Sequence, residues 1–427
     1  MARNMQKLYN PPSAREGRKQ IMPKNILIFA DGTGNEGGLL PDESRTNVYK
    51  LYRATRTGPE STIDPAKQLA FYVRGIGTPN PGHTSRWQRL KEGAQQAVGL
   101  GLTNRITDCY VAIISVWQPG DRIYLFGFSR GAYTARCVAH VLEVAGIPTT
   151  EADGSPLNFD PPKLRKLALS AVKILYTWGV PVSDKEKLAS EAQAFCAAHR
   201  CVNNPGEGSL PYFIGVWDTV AAIGLARFLP VKYDLHYPKA LRFVRHAMAI
   251  DEYRKDFVRV PWGGTGTFPK QREGEPFPFE QIWFAGNHAD IGGSYPENES
   301  RLSDITLKWM ADFIEHELPA EGRVAVDRAI LNCFPSAAGM MHDECMVGIG
   351  GTPLRWNPKD RTVPINAVLH ETVFERLRMD KVRNFTGFGP YRPASLQNHD
   401  KAKEFFKDLP GSPAGPSPVA PGGGAPS

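Results

Sequence analysis

The chain has 427 residues, of which 41% are hydrophobic and 22% are charged. This composition is that of a folded globular protein and excludes a chain that is mostly disordered or fibrous. The net charge of +7 does not indicate a nucleic-acid partner, because residues 1–24 hold six basic residues against one acidic residue and the remainder is close to neutral. We expect residues 1–23 to form a solvated basic arm.

No segment has the pattern of a secretory signal or of a membrane span. The basic arm contains a polar, proline-rich stretch where a signal peptide needs apolar residues. The longest apolar run, residues 110–117, is far too short to cross a bilayer. The six cysteines include no Cys-x-x-Cys pair, which favours reduced thiols over a zinc site. We expect a soluble protein that is cytoplasmic in the producing cell and has no cofactor.

Predicted strands and helices alternate along the first part of the chain. Apolar runs at 24–30 and 68–74 predict two buried strands, each followed by glycines, with a short helix between them. Helical periodicity covers 86–117, where glycines divide it into two helices. A strand at 121–127 and a helix at 132–144 come next. This alternation predicts an α/β fold with a mostly parallel central sheet and helices on both faces.

The second part of the chain departs from a minimal α/β pattern. Residues 150–209 contain helical stretches and no strand, which predicts a helical insertion. Strands resume at 211–217 and 281–285. We therefore predict one catalytic domain, 24–320, with helical insertions.

Two segments follow the predicted catalytic domain. Residues 321–408 have a mixed pattern that we interpret as a C-terminal cap or extension. Residues 409–427 consist almost entirely of Pro, Gly, Ser and Ala, which predicts a disordered tail.

A candidate nucleophile lies between the strand at 121–127 and the helix after it. The run Gly127-Phe128-Ser129-Arg130-Gly131 has the Gly-x-Ser-x-Gly spacing of a sharp strand-to-helix turn. The two glycines allow the close approach of helix and strand that such a turn needs. The backbone N–H of Arg130 is then a candidate oxyanion donor. The alternative is an ordinary glycine-rich turn with an idle serine.

The base and its orienting acid are expected after later strands, in the order acid and then histidine. Asp218 directly follows the strand at 211–217, and His288 comes just after the strand at 281–285. His246 is a reserve candidate in a helix-like run at 245–252, where a structural histidine is the better interpretation.

A second turn, after the first strand, supplies further candidates. The amides of Gly32 and Thr33, next to Asp31, are candidates for the second oxyanion donor. Asp290 lies two residues after His288, and we favour a role in capping that turn. The alternative is a metal-dependent hydrolase in which Asp31, His288 and Asp290 bind the ion.

Five motifs occur in order along the chain: FADGTGN at 29–35, YVRGIGT at 72–78, GFSRGAY at 127–133, VWDTV at 216–220 and HADIGG at 288–293. Together they resemble one known family, the hydrolases related to type VI secretion phospholipase effectors. The resemblance covers about residues 24–315 and implies an α/β-hydrolase fold with Ser129, Asp218 and His288 as the catalytic triad.

The resemblance implies hydrolysis of a phospholipid or another acyl ester, with peripheral membrane contact and non-Sec delivery as an effector left open. The alternatives are the metal-dependent hydrolase and a non-catalytic binding protein with a hydrolase fold.

Overall fold

The computed structural model describes most of the chain between residues 22 and 407. The described residues are 22–32, 44–75, 101–176, 185–220, 241–255, 257, 259–260, 262, 270–349, 352–355, 358–384 and 387–407. The predicted N-terminal arm up to residue 21, the first of the two helices predicted within 86–117 and the predicted tail 409–427 lie outside them, as does the candidate residue Thr33.

A single six-stranded sheet forms the centre of the molecule. Its strands are β1 (Asn25–Ala30), β2 (Gln68–Val73), β3 (Arg122–Phe128), β4 (Pro211–Trp217), β5 (Phe243–Ala249) and β6 (Phe279–Phe284). They are all parallel and lie in the order β2-β1-β3-β4-β5-β6. Because β2 and β3 lie on opposite sides of β1, the strand order reverses there. Open parallel sheets bind ligands at the carboxyl ends of the strands beside such a point.

Helices connect and cover the strands. The α-helices of the described residues are α1 (Asn47–Thr55), α2 (101–114), α3 (Arg130–Ala145), α4 (Pro161–Leu175), α5 (Lys185–Ala198), α6 (His288–Gly292), α7 (Arg301–Asp312), α8 (Arg328–Leu331) and α9 (Glu371–Arg378). The predicted α/β fold is thereby confirmed, and α4 and α5 occupy the predicted helical insertion.

Alternate residues of each central strand enter two separate apolar layers. In β1, Leu27 and Phe29 pack into one layer with α1 and α7. Ile26 and Ile28 pack into the other layer with α2, α3 and α4. Side chains of a strand point alternately to its two faces, so a strand covered on both faces is apolar throughout. This explains why the short apolar runs in the sequence predict the central strands well.

The helix-like interpretation of residues 245–252 is wrong, because most of this segment is β5. Two polar side chains interrupt the apolar pattern by which a buried strand is recognised, and both are buried and hydrogen-bonded. Arg245 donates to the carbonyl of Phe277 at 2.9 Å, and Nδ1 of His246 lies 3.1 Å from the side-chain oxygen of Gln281. A buried polar group is tolerated when it has such partners. His246 is therefore a structural histidine, and burial lowers its pKa to about 3.

The segment after α7 packs against the same apolar layer as α1. It contains two antiparallel pairs, β7 (Met346–Ile349) with β8 (Thr352–Arg355) and β9 (Val382–Asn384) with β10 (Gly387–Gly389). Buried residues of this segment include Val373 and Leu377 of α9. The C-terminal segment is thus continuous with the core, while the boundary at residue 320 stays a prediction. Among the helices of the described residues, none combines the length and apolar character needed to span a membrane.

Candidate active site

Ser129 occupies a strained turn between β3 and α3. Its backbone has φ 58° and ψ −123°, outside the regions that most non-glycine residues adopt. A side chain at Gly131 would bring a Cβ to 2.0 Å from the carbonyl oxygen of Ala30, and one at Gly127 to 2.4 Å from that of Gly131. Both glycines are therefore required for the close contact of β1, β3 and α3 around the serine.

Replacing Gly131 with alanine is expected to lower the free energy of unfolding by about 1–3 kcal/mol, because the added methyl group overpacks the turn against β1. This loss opposes the higher helix propensity of alanine. Denaturant unfolding measures it. Gly389→Ala is the matched control, since a Cβ there meets nothing within 4 Å. Equal stability of the two variants would contradict the role of Gly131.

Asp218 and His288 are brought together at the same edge of the sheet. Asp218 directly follows β4 with a positive φ of 37°, and His288 begins α6 after β6. Nδ1 of His288 lies 2.6 Å from Oδ2 of Asp218, and both side chains are buried. An ionised carboxylate only accepts hydrogen bonds, so Nδ1 carries the proton and Nε2 is left as the basic nitrogen. This is the orientation that a general base needs.

No local sequence pattern predicts the strongest partner of Asp218. Arg361, from the C-terminal segment, donates through both terminal nitrogens to the two carboxylate oxygens, at 2.5 and 2.9 Å. The backbone N–H of Ala249 donates to Oδ1 at 3.1 Å. Burial alone would raise the pKa of Asp218, but Arg361 and His288 outweigh it and hold the pKa well below its usual range. Asp218 is therefore a fixed negative charge.

Removing Arg361 as Arg361→Gln is expected to cost about 3 kcal/mol of unfolding free energy, because it leaves a buried carboxylate without its charged partner. The loss of a nearby positive charge also moves the pKa of His288 upward. Chemical denaturation and the pH profile of activity measure the two effects. Arg165→Gln is the control, because it breaks an ion pair with Asp108 between half-exposed side chains and should cost less than about 1 kcal/mol. Equal costs for the two variants would contradict this account.

His288 is enclosed by aromatic rings. The ring of Phe128, which precedes Ser129, lies 4.5 Å from the imidazole between centroids, and that of Phe257 lies at 5.1 Å. Burial lowers the pKa of His288, and the opposing effect of the Asp218 carboxylate does not reverse it. His288 and Ser129 share no hydrogen bond in this structure, although both are described. Contacts of this kind often tighten only when substrate binds.

The pH profile of kcat/KM should show an acid limb below pH 6.5, the ordinary pKa of histidine. A lowered pKa keeps His288 neutral, and therefore basic, to a lower pH, and activity falls only as it becomes protonated. Initial rates on a soluble ester between pH 4 and pH 8 measure this limb, with circular dichroism to show that the fold persists. An acid limb above pH 6.5 would contradict the assignment of His288.

The predicted oxyanion donors Arg130 and Gly32 differ in whether the backbone N–H already donates a hydrogen bond. Arg130 is the first residue of α3, where backbone N–H groups have no partner inside the helix. The N–H of Gly32 donates to the Asp31 carboxylate at 2.7 Å and is thus occupied. The structure therefore favours the Arg130 amide as donor, while the roles of both amides remain predictions.

Asp31 and Asp290 both accept hydrogen bonds from other residues of the chain. Asp31 is buried and accepts from Tyr72 at 2.5 Å and Thr46 at 2.7 Å; burial raises its pKa to about 6. Asp290 forms a capping box with Asn287 and accepts from Nδ1 of His342 at 2.7 Å. The N-cap residue of α6 is Asn287, and Asp290 accepts from the N–H of Asn287 at the third helical position, so the acid supports the cap without being the N-cap residue. The described parts of the chain contain no cluster of three or more potential metal ligands, so the metal-dependent alternative gains no support from the geometry.

The fold and the site together define an α/β-hydrolase-like protein. Residues 24–313 match the family model described as type VI secretion system, phospholipase effector Tle1-like, catalytic domain. The chain belongs to this family.

Several known proteins are similar to parts of the chain. An uncharacterised protein of Saccharomyces cerevisiae, YEL023C, is 27% identical over 296 residues, which is 66% of this chain and 38% of that protein. Lipase 1 of Staphylococcus aureus is 27% identical over 118 residues, 28% of this chain and 15% of the lipase. The chain therefore spans well under two thirds of the length of each of these relatives.

Two solved structures are also similar. An uncharacterised protein from Pseudomonas aeruginosa has a TM-score of 0.40 at 20% identity, covering 75% of this chain and 50% of that one. The Tle1 effector bound to the VgrG spike of the type 6 secretion system has a TM-score of 0.35 at 19% identity, covering 66% and 53%. The family assignment rests on the family model alone.

Proposed function

We propose that this protein is a serine hydrolase that cleaves acyl esters of lipids, with Ser129 as nucleophile, His288 as base and Asp218 as the acid that orients the base. The observation that carries the proposal is the 2.6 Å hydrogen bond between His288 and Asp218, at the sheet edge where Ser129 lies. Membership of a family of phospholipase effector catalytic domains supports a phospholipid or another lipid ester as the substrate.

The proposed reaction uses the three side chains in turn. Nε2 of His288 takes the hydroxyl proton of Ser129 as its oxygen attacks the ester carbonyl carbon, and the oxyanion accepts the N–H of Arg130. Collapse of this intermediate breaks the bond between the acyl carbon and the alcohol oxygen, and the alcohol leaves with the proton from His288. Water then attacks the acyl group, gives a proton to His288 and releases the fatty acid as Ser129 regains its proton.

Inhibition of ester hydrolysis tests the proposal against its two alternatives. The substrates are a short-chain phospholipid, a short-chain diacylglycerol and p-nitrophenyl butyrate, each assayed after treatment with a fluorophosphonate or with EDTA. We expect hydrolysis that the fluorophosphonate abolishes and EDTA leaves unchanged. Loss of activity with EDTA alone would support the metal-dependent hydrolase. A folded protein that hydrolyses none of the esters would support the non-catalytic binding protein. Peripheral membrane contact and non-Sec delivery stay predictions.

A further inference from the structure

A second buried carboxylate contacts the candidate base. Glu252 lies shortly after β5, and Asp218 directly follows the neighbouring strand β4. Oε2 of Glu252 accepts the backbone N–H of His288 at 3.2 Å, and the side chain of Glu252 is only 1% exposed. His288 therefore has one carboxylate partner at its backbone and another, Asp218, at Nδ1 of its ring. Three adjacent strands, β4, β5 and β6, lead into the two acids and the base.

Glu252 supplies an acceptor that α6 does not provide for the N–H of His288. Backbone N–H groups in the first turn of a helix have no acceptor inside the helix. In α6 the side chain of Asn287 accepts the next two, those of Ala289 and Asp290, each at 2.9 Å. Leaving a buried N–H group without an acceptor is costly, so the contact with Glu252 fixes the backbone of the base.

Arg254 holds Glu252 in place and keeps it ionised. Its Nε and Nη2 donate to the two carboxylate oxygens at 2.8 and 2.7 Å, and its backbone N–H donates to Oε1 at 2.8 Å. Burial alone would raise the pKa of Glu252, but Arg254, together with Arg361 and His288, holds the pKa below its usual range. Glu252 is therefore a fixed, negatively charged acceptor for the backbone of His288.

Arg254 also connects this ion pair to the ring of the base. Its guanidinium lies over the ring of Phe257, with 3.5 Å between Cζ and the ring centroid. Phe257 in turn meets the imidazole of His288 edge to face, at 5.1 Å between centroids. Glu252 and Arg254 thus act on His288 at two places, the backbone directly and the ring through Phe257.

We propose that Glu252 is a positioning residue for the base: it holds the backbone of His288 while Asp218 holds the ring, and its partner Arg254 keeps Phe257 against the imidazole. This inference rests on the proposed function and adds a residue to the same site. The role needs the reach of a glutamate, because Oε2 accepts from both Arg254 and His288. Misplacing a base by about 1 Å can lower a rate about a hundredfold, so such positioning has a measurable effect.

Glu252→Asp separates position from charge. The shorter side chain keeps a negative charge next to Arg254 but withdraws the carboxylate from the N–H of His288. We expect kcat for p-nitrophenyl butyrate to fall about tenfold or more, because the base is held less well. The acid limb of kcat/KM should stay where it is, since the charges around His288 are the same. A kcat equal to that of the unaltered chain would overturn the proposal.

Glu280 provides matched controls for the variants of Glu252. It pairs with the buried Arg245 at 3.0 Å, and Cζ of Arg245 lies 3.5 Å from the ring centroid of Phe313, as Arg254 does over Phe257. This pair lies near the amino ends of β5 and β6, away from the edge of the sheet that carries the site. Glu280→Asp and Glu280→Gln should therefore leave kcat and the acid limb unchanged.

Removing one charge of the pair at a time should move the acid limb in opposite directions. The charged side chains that act on His288 are Asp218, Glu252 and Arg254, with Arg361 paired to Asp218. Glu252→Gln removes a negative charge and leaves Arg254, so the acid limb should move to lower pH. Arg254→Gln does the reverse and should move the limb to higher pH. Unchanged limbs, or shifts in the same direction, would overturn the proposal.

A titration without substrate separates failure of this inference from failure of the proposed function. In protein with isotope-labelled histidine, the NMR signal of His288 is the one that His288→Ala lacks. Its pKa should be lower in Glu252→Gln and higher in Arg254→Gln than in the unaltered chain. If the pKa shifts in this way while no ester is hydrolysed, the contact of Glu252 with His288 stands and the proposed function fails. If Ser129 is required for ester hydrolysis and neither the pKa nor kcat responds, Glu252 does not position the base.

Discussion

Ser129→Ala is expected to lower kcat for ester hydrolysis by about 10⁴-fold or more, because no other group in the proposed mechanism can form the acyl-enzyme. Steady-state rates on p-nitrophenyl butyrate and on a short-chain phospholipid measure the loss. Thermal unfolding should change little, since alanine and serine tolerate the positive φ of this turn equally poorly.

Ser170→Ala is the control for Ser129→Ala. Ser170 is an exposed residue of α4 whose hydroxyl donates to the carbonyl of Leu167, so its replacement should leave the rates unchanged. A Ser129→Ala variant within tenfold of the unaltered rate would rule out the serine mechanism.

Asp218→Asn is expected to lower kcat by about 10³–10⁴-fold with little change in backbone structure. The carboxylate now accepts from His288 on one oxygen and from Arg361 on both. An amide has only one acceptor oxygen, so its NH₂ group faces an Arg361 donor in either orientation. The orientation that turns the NH₂ group toward His288 also favours the wrong tautomer of the base. Either result disrupts the proposed catalytic dyad.

The size of the Asp218 effect is measured by the same assays, with Asp153→Asn as the control. Asp153 lies in an exposed turn, where the loss of one charge should not affect the reaction. We also expect the acid limb set by His288 to shift to lower pH in Asp218→Asn, because a negative charge that favours the imidazolium is lost. Retention of more than a tenth of the activity would show that Asp218 does not orient the base.

The central strands could be predicted because burial on both faces of the sheet requires short, continuous apolar runs in the sequence. β1, β3 and β4 are covered on both faces, so nearly every residue in them is apolar and each run ends where the sheet ends. β5 could not be recognised in the same way. It contains Arg245 and His246, whose buried positions depend on partners supplied by the segment 277–281.

The candidate site likewise contains residues that local sequence patterns predict and one residue that they do not. The positions of Ser129, Asp218 and His288 follow from local signals, namely a glycine pattern and polar residues directly after strands. Arg361 is 143 residues from Asp218, and no local pattern connects the two. It also lies beyond residue 313, where the match to the family model ends. The surroundings of the candidate acid therefore depend on a C-terminal segment whose sequence carries no sign of that contact.

Asp290 shows how one residue can leave two interpretations open until its partners are known. The spacing from His288 is compatible with a metal pair and with a helix cap. The capping box with Asn287 and the bonds from His342 occupy both of its oxygens. His342 again comes from the C-terminal segment, so the loop that holds His288 is also fixed from that side.

The most direct test of the serine mechanism is to map the residue that a fluorophosphonate labels. The unaltered chain, Ser129→Ala and His288→Ala are treated with the probe, digested and sequenced by tandem mass spectrometry. We expect a single adduct on Ser129 in the unaltered chain, none in Ser129→Ala, and much slower labelling in His288→Ala, because the hydroxyl then lacks its base. An adduct on another residue, or no adduct on a folded and unaltered chain, would contradict the serine mechanism.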